Sequence, residues 1–174
     1  KPPAVGREPG VRRLAAALRE AGLMERLGAR DEGAVVPPPY RPEIEPETGV
    51  RNGRAIAEFS RRRAARVPPL VAAGRWLVVL GGDCSLLVGN MLALRRMGRY
   101  GLFFIDGHTD FGTPATSQSK AAAGMDLALV TGHGPEALAG LDGRRPLARE
   151  EDVIVLGYRD VEDPAGYPWR AGFA

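Results

Sequence analysis

Two short apolar segments, separated by about the length of one helix, most strongly constrain the fold of this chain. They are Trp76–Leu80 and Leu102–Ile105. Continuous apolar runs of this length are typical of strands buried on both faces. The segment between them predicts a crossover helix over Ser85–Met97, and Asp152–Leu156 predicts another buried strand. Strand and helix in alternation predict an α/β fold with a parallel sheet and right-handed crossovers.

Residues able to bind a metal follow both apolar segments. Asp106, His108 and Asp110 come directly after Leu102–Ile105 and alternate along the chain. If the backbone stays extended there, all three side chains leave it on one side. Two carboxylates and an imidazole brought together need a cation to neutralise them, and they are natural ligands of a divalent metal. Cys84 follows the first segment, and the carboxyl ends of neighbouring parallel strands form one crevice.

The composition excludes several other kinds of protein. The 174 residues suffice for one domain, and a net charge of +3 arises from interspersed acids and bases, which argues against nucleic-acid or membrane partners. The basic run Arg61–Arg63 is interpreted as a solvated helix face. A single cysteine excludes an intramolecular disulfide. No apolar run approaches ~20 residues and the start lacks an apolar signal core, so we predict a cytoplasmic protein.

The remaining segments give weaker predictions. An amphipathic helix is predicted from Val11 to Gly22 or Gly28, and Asn52 is predicted to cap a helix that runs to about Val67. Ala34–Val36 is interpreted as a short strand and Tyr40–Val50 as an exposed loop. Phe111–Ala123 is interpreted as a loop over the strand ends. Met125–Val130 is a helical candidate.

Three motifs resemble those of the arginase/agmatinase (ureohydrolase) superfamily. They are VLGGDCS at residues 79–85, FFIDGHTDF at residues 103–111 and VIVLGYRDVED at residues 153–163, and the similarity runs from about Pro9 onward. The first two motifs, in this order and about a helix apart, are specific as a pair. The resemblance implies a three-layer arginase-like fold with a mainly parallel sheet between helices. It also implies two manganese ions bridging a hydroxide that attacks a guanidinium or similar C–N carbon.

The resemblance also assigns roles to the residues of these motifs. Asp106, His108 and Asp110 match metal ligands, with Asp106 bridging and Asp110 sharing a metal with the residue at position 84. Cys84 stands where the family usually has a histidine ligand, and a subgroup that resembles arginases carries the same GGDCS motif. Cys84 is then a ligand, a small buried hydrophobe in a degraded site, or a nucleophile. As a thiolate ligand it suits Zn²⁺ or Fe²⁺ better than the Mn²⁺ expected from the family.

The loop after the second motif differs from that of arginases. Gly112 replaces an asparagine and Ala123 replaces a proton-shuttling histidine, whereas Ser119 matches a serine that contacts the amino-acid end of the substrate. These losses argue against specificity for L-arginine. The resemblance to the family implies a small guanidino or formimino compound as substrate, an expectation that the altered loop weakens. The other histidine of the chain, His133, is interpreted as a solvated loop residue.

The sequence therefore predicts a single arginase-like domain over residues 1–174, with an N-terminal strand and a C-terminal SxDxD segment missing. The expected function is metal-dependent hydrolysis of linear amidine or guanidino C–N bonds, as in arginases, agmatinases and formimidoylglutamases. One alternative is a catalytically silent binding protein with this fold. Another is a thiol-dependent hydrolase with Cys84 as nucleophile and His108 as base. A homo-oligomer stays open, because the sequence does not decide the oligomeric state.

Overall fold

A computed structural model describes residues 10–159 and contains several helices and a parallel pair of strands. Strand β1 (Leu102–Ile105) pairs with β2 (Val153–Leu156) in register, so that Leu102 lies opposite Val153 and Ile105 opposite Leu156. Both predicted strands and their parallel pairing are confirmed, but their predicted burial on both faces is wrong for the described residues, because Phe103 and Ile105 are largely exposed. The α-helices are α1 (Leu14–Glu20), α2 (Leu23–Leu27), α3 (Gly53–Ala64), α4 (Val67–Ala72), α5 (Leu86–Met97), α6 (Asp126–Val130) and α7 (Glu136–Ala139). Short 3₁₀ turns cover Gly10–Arg13, Ala122–Gly124, Leu141–Gly143 and Glu150–Asp152.

The core lies between α3, α5 and α6. Val88 and Leu92 of α5 and Leu127 of α6 are completely buried. Helix α5 approaches α3 closely at Gly89, where an added Cβ would lie 3.1 Å from the Cα of Ser60. The predicted helix is therefore confirmed, although no strand precedes it within residues 10–159, and its glycine permits the close packing that fixes α5 against α3. Helix α5 begins two residues after Cys84, which lies beside Asp106 at the end of β1.

Arg63 corrects the interpretation of the basic run in α3. Arg61 and Arg62 are exposed, as a solvated face requires, but Arg63 is buried. Its guanidinium donates hydrogen bonds to the carbonyl of Leu86 at 2.9 Å and to Oδ1 of Asn90 at 2.6 Å. Burial lowers the pKa of Arg63 to about 10. Successive helical residues point in directions about 100° apart, so a run of three cannot all face the solvent.

The prediction of a strand over Trp76–Leu80 is wrong for the described part of the chain. This segment joins α4 to α5 as irregular backbone, with Trp76 fully exposed and Val78 68% exposed. A strand requires a neighbour that accepts and donates backbone hydrogen bonds, and no such neighbour exists for this segment within residues 10–159. The short strand predicted over Ala34–Val36 is absent from the same region for the same reason.

Helix is present where the N-terminal helix was predicted, but it is divided into two short helices. A 3₁₀ turn leads into α1, and Gly22 then separates α1 from α2 with φ of 77°, in the left-handed region. Helix α2 ends at Gly28, whose φ of 57° also lies there. Glycine adopts this backbone conformation without the steric penalty that a Cβ introduces. Both predicted end points are therefore real helix boundaries.

The segment before α3 is more ordered than the sequence indicates. Ile44 and Arg51 form an isolated antiparallel bridge, and Val50 is completely buried, so the prediction of an exposed loop is wrong at this end. Asn52 precedes α3 with φ of 55°, but its side chain does not cap the helix. Its Oδ1 instead accepts the backbone N–H of Arg41 at 2.7 Å.

Among residues 10–159, no helix combines the length and apolar character that crossing a bilayer requires.

Candidate metal centre

The backbone turns immediately after β1 and thereby positions the first carboxylate. Asp106 follows the strand directly, and a bend occupies Gly107 and His108. Oδ1 of Asp106 accepts the backbone N–H of His108 at 3.0 Å, a local hydrogen bond that stabilises the turn. Asp110 has φ of 46°, in the left-handed region. The assumption that the backbone stays extended here is therefore wrong, because the Asp106 side chain itself holds the chain in a turn.

Three potential ligands nevertheless converge. Sγ of Cys84 lies 4.0 Å from Oδ2 of Asp106. One ligand atom from each of Cys84, Asp106 and Asp110 lies within 4.8 Å of the other two. Ligands of one ion at ~2.1–2.3 Å are separated by about 3–4.5 Å, so these three atoms lie near enough to engage one cation after small inward movements of their side chains. We call these three residues the Cys–Asp cluster.

His108 lies beside the Cys–Asp cluster without joining it. Its Nδ1 is 3.6 Å from Oδ1 of Asp106, and its side chain is 69% exposed. Asp106 thus presents one oxygen to Cys84 and the other to His108. Since solvent rather than packing surrounds the imidazole, rotation about its side-chain bonds is sterically free. The assignment of His108 as a ligand stays a prediction.

The thiol of Cys84 lies in a negative environment. Although the residue is exposed overall, burial of its thiol and four nearby carboxylates together raise the pKa of Cys84 to about 12. Burial has the largest effect, followed in decreasing order by Asp126, Asp110, Asp106 and Asp83. Without a cation the thiol therefore stays protonated at neutral pH. A bound cation would reverse this effect, because a metal-bound thiol is deprotonated.

Asp126 is the functional candidate that the sequence analysis missed. It is the first residue of α6 and only 1% exposed. Oδ1 accepts the backbone N–H of Leu127 at 2.9 Å, whereas the buried Oδ2 has no hydrogen-bond partner within residues 10–159. Burial, followed by the charge of Asp110, raises the pKa of Asp126 to about 9. The available signal was one acid within the otherwise apolar run Met125–Val130.

The loop that follows β1 folds back on itself. The backbone N–H of Gly112 donates to the carbonyl of Gly124 at 3.1 Å. A Cβ at Gly112 would lie 2.7 Å from that carbonyl oxygen, so no larger side chain fits this backbone. Ser119 is exposed, and its hydroxyl accepts the N–H of Ala121 at 3.2 Å. Its role in substrate binding stays a prediction, since this contact explains the hydroxyl within the loop itself.

Comparison with known proteins identifies the family. The sequence matches the Arginase family over residues 4–171. The chain belongs to the arginase family. It is 33% identical to the arginase of Bacillus caldovelox over 161 residues, which cover 88% of this chain and 54% of that protein. It is 30% identical to the arginase of Bacillus subtilis (strain 168) over 160 residues, covering 88% of this chain and 53% of that protein.

A solved arginase structure shares the fold. The native structure of Bacillus caldovelox arginase superposes with a TM-score of 0.77 at 33% identity, covering 84% of this chain and 52% of that one. The chain thus spans about half the length of the curated relatives it matches. The predicted family and the arginase-like α/β fold are confirmed. The third motif extends to Asp160 and Asp163, which lie outside the described residues.

The donor set of this arginase-family chain fits a divalent cation. Two carboxylates and a thiol point to one place, and a further buried carboxyl, that of Asp126, acts on the same thiol. His133, in contrast, lies in a turn where its Nε2 is 2.6 Å from Oε1 of Glu150 and its ring meets the edge of Phe111. The interpretation of His133 as a loop residue holds, although its imidazole is paired rather than only solvated.

Proposed function

We propose that this arginase-family chain is part of a metal-dependent hydrolase that cleaves linear C–N bonds in small guanidino or related amidine compounds. Cys84, Asp106 and Asp110 would hold a divalent cation, and His108 would complete the set after rotating its ring. The convergence of the Cys–Asp cluster within 4.8 Å is the observation that supports this proposal most directly. Membership of the arginase family supports the reaction class.

Asp106 is suited to a bridging role. Its two carboxylate oxygens are directed to different donors, Oδ2 towards Cys84 and Oδ1 towards His108. A carboxylate between two donors is the arrangement that holding neighbouring cations requires. When bound, a divalent cation supplies hydroxide at neutral pH, because it lowers the pKa of water to about 7. The carboxylates of Asp106 and Asp110 would balance the positive charge of the cation.

The proposed cofactor is Mn²⁺, with Zn²⁺ and Fe²⁺ as alternatives. Carboxylate oxygens suit hard ions such as Mn²⁺, whereas the thiolate of Cys84 is a soft ligand that suits Zn²⁺ or Fe²⁺. Two of the three converging donors are carboxylates. The thiol must also lose its proton to bind, and its pKa of about 12 makes this step depend on the cation. Metal content is therefore expected to rise with pH.

The thiol-dependent alternative fits the structure less well. A nucleophilic cysteine needs a lowered pKa, which neighbouring cations or a helix N-terminus usually provide. Burial and four carboxylates instead raise the pKa of Cys84. The imidazole of His108, its proposed base, faces Asp106. The silent binding protein stays the other alternative and requires a functional test.

The test uses the full-length protein, stripped of metal and reloaded with Mn²⁺, Zn²⁺ or Fe²⁺. Hydrolysis of a panel of guanidino and formimino compounds is followed by the release of urea, ammonia or formamide. We expect hydrolysis that requires metal and that Asp106→Asn abolishes, while Asp142→Asn leaves it intact. Metal binding without hydrolysis of any compound would support the silent binding protein. Inactivation by iodoacetamide together with insensitivity to chelators would support the thiol mechanism.

A further inference from the structure

Asp126 is a buried acid for which the rest of the described chain provides no balancing positive charge and only one hydrogen bond. Its carboxyl is almost completely removed from solvent at the start of α6. One oxygen is engaged by the backbone N–H of Leu127, and the other has no partner within residues 10–159. Burying an oxygen without a hydrogen bond destabilises the folded state. Such a group calls for a functional explanation.

The surroundings of Asp126 make the problem larger. The charged groups that act on it most are Asp110 and Asp106, both of which carry the same sign when ionised. Asp126 is in turn the carboxylate with the strongest effect on the pKa of Cys84, although its oxygens lie outside the 4.8 Å spacing that unites the Cys–Asp cluster. The backbone N–H of Ala128 donates to the carbonyl of Asp110 at 3.4 Å, which ties α6 to the cluster. These groups are thus held together by the fold.

We propose that Asp126 is an additional ligand of the cation at the Cys–Asp cluster, which it approaches from the protein interior through its free Oδ2. This inference rests on the proposed metal-dependent function. It adds a third carboxylate to the two of Asp106 and Asp110, so oxygen donors outnumber the single thiolate of Cys84. A set of this kind favours a hard cation such as Mn²⁺ over Zn²⁺. Asp126 therefore determines which metal the site takes.

Metal affinity tests this inference. Titration calorimetry on the full-length, metal-free protein compares the wild type with Asp126→Asn, which removes the charge but keeps the shape. We expect Mn²⁺ to bind at least about tenfold more weakly, since even indirect metal partners are typically worth 10–100-fold. The ratio of Mn²⁺ to Zn²⁺ affinity should fall as well. The matched control is Asp142→Asn, which changes a carboxylate paired with Arg61 and Arg96 and should leave both affinities unchanged.

Thermal unfolding separates a ligand from a structural residue. Without metal, Asp126→Asn should unfold at the same or a higher temperature than the wild type, because it removes a buried carboxyl that lacks a partner. The increase in unfolding temperature on adding Mn²⁺ should shrink, because weaker binding stabilises less. Reduced stability without metal, combined with wild-type affinity, would overturn the inference. Asp126→Leu, similar in shape, is measured in the same way, and failure of both variants to fold would also overturn it.

The outcomes distinguish this inference from the function on which it rests. If the wild type binds Mn²⁺ and Asp126→Asn binds it equally well, only the role of Asp126 is refuted. If the wild type binds no divalent cation, the proposed function and the role of Asp126 are refuted together. If the wild type binds Mn²⁺ and Asp126→Asn binds it more weakly while the control Asp142→Asn does not, the result supports both the proposed function and the role of Asp126.

Discussion

Two groups of acidic side chains in this molecule differ in how the protein balances their negative charge. Asp142 accepts hydrogen bonds from Nε of Arg61 at 3.1 Å and from Nη2 of Arg96 at 2.6 Å, and we call these three residues the Asp142 cluster. Cys84 and Asp126 lie instead among groups of their own sign, and the charged residues with the largest effects on them are carboxylates. The first group is balanced by the protein, whereas the second is left with excess negative charge.

The pKa values express this difference. Hydrogen bonding to Arg96, and then to Arg61, holds the pKa of Asp142 below its ordinary value. Burial and like charge raise the pKa of Asp126 to about 9. A carboxylate paired with arginines contributes to folding, while buried acids without such partners generally mark a functional site. The comparison therefore points to a cation at the Cys–Asp cluster and to none at Asp142.

Removing both carboxylates of the Cys–Asp cluster should have the largest effect. The double variant Asp106→Asn/Asp110→Asn should bind divalent cations more than about 100-fold more weakly, because indirect partners alone are worth 10–100-fold. Elemental analysis and titration calorimetry of the full-length protein measure the loss. Asp142→Asn should keep its metal. Equal metal content in the wild type and the double variant would show that the cation, if any, binds elsewhere.

Changing the thiol should have the next largest effect. Cys84→Ala should weaken metal binding by about tenfold through loss of one ligand, and Cys84→His should shift preference towards Mn²⁺, since imidazole is a harder ligand than thiolate. Competition between Mn²⁺ and Zn²⁺, followed by elemental analysis, measures both. Unchanged metal content in Cys84→Ala would contradict a ligand role and favour a packed hydrophobe.

The sequence predicted the parts of this fold and site that depend on local pattern. The apolar runs of β1 and β2 and the helix α5 were readable because each carries its own periodicity and boundaries. The meeting of Cys84 with Asp106 was predicted correctly, but from the rule that polar residues after parallel strands share one edge, whose premise the structure does not meet at Trp76–Leu80. Their convergence does not need the segment before Cys84 to pair as a strand.

What the sequence could not show depends on non-local partners or on a side chain acting on its own backbone. Trp76–Leu80 has the composition of a strand, but composition does not supply the neighbour on which pairing depends. The turn at His108 is stabilised by the carboxylate of Asp106, which an extended-chain argument cannot foresee. Asp126 was hidden because its segment was interpreted only for helical pattern, and its burial arises from tertiary packing.

Changing the Asp142 cluster should have a smaller effect, and it should alter the stability of the fold rather than the affinity for metal. Asp142→Asn should lower the free energy of unfolding at neutral pH by about 1 kcal/mol, the upper end for partly exposed pairs, because two arginines hold a side chain that is 28% exposed. Urea denaturation measures the change. The pKa of Asp142 is lowered from 3.8 in the folded protein, so its stabilisation is fully present at neutral pH, well above the unfolded pKa.

As the pH falls through that lowered pKa, Asp142 becomes protonated and the stabilisation is lost. The difference between wild type and Asp142→Asn should therefore shrink as the pH falls below the ordinary pKa of 3.8 and on through the lowered pKa of the folded protein. A difference that is the same in acid and at neutral pH would show that shape, not charge, is what the arginines recognise. Metal affinity, measured in parallel, should not change.

The smallest effect is expected at an ion pair that belongs to neither group. Glu47 accepts a hydrogen bond from Nε of Arg54 at 3.0 Å, but both side chains are 67% exposed. Water and salt screen such a pair almost completely, so Glu47→Gln should leave the urea midpoint and the metal affinity unchanged within error. Repeating the denaturation at low and high salt checks the screening. A loss as large as that of Asp142→Asn would mean that partial burial between two arginines is not what gives the Asp142 cluster its stabilising effect.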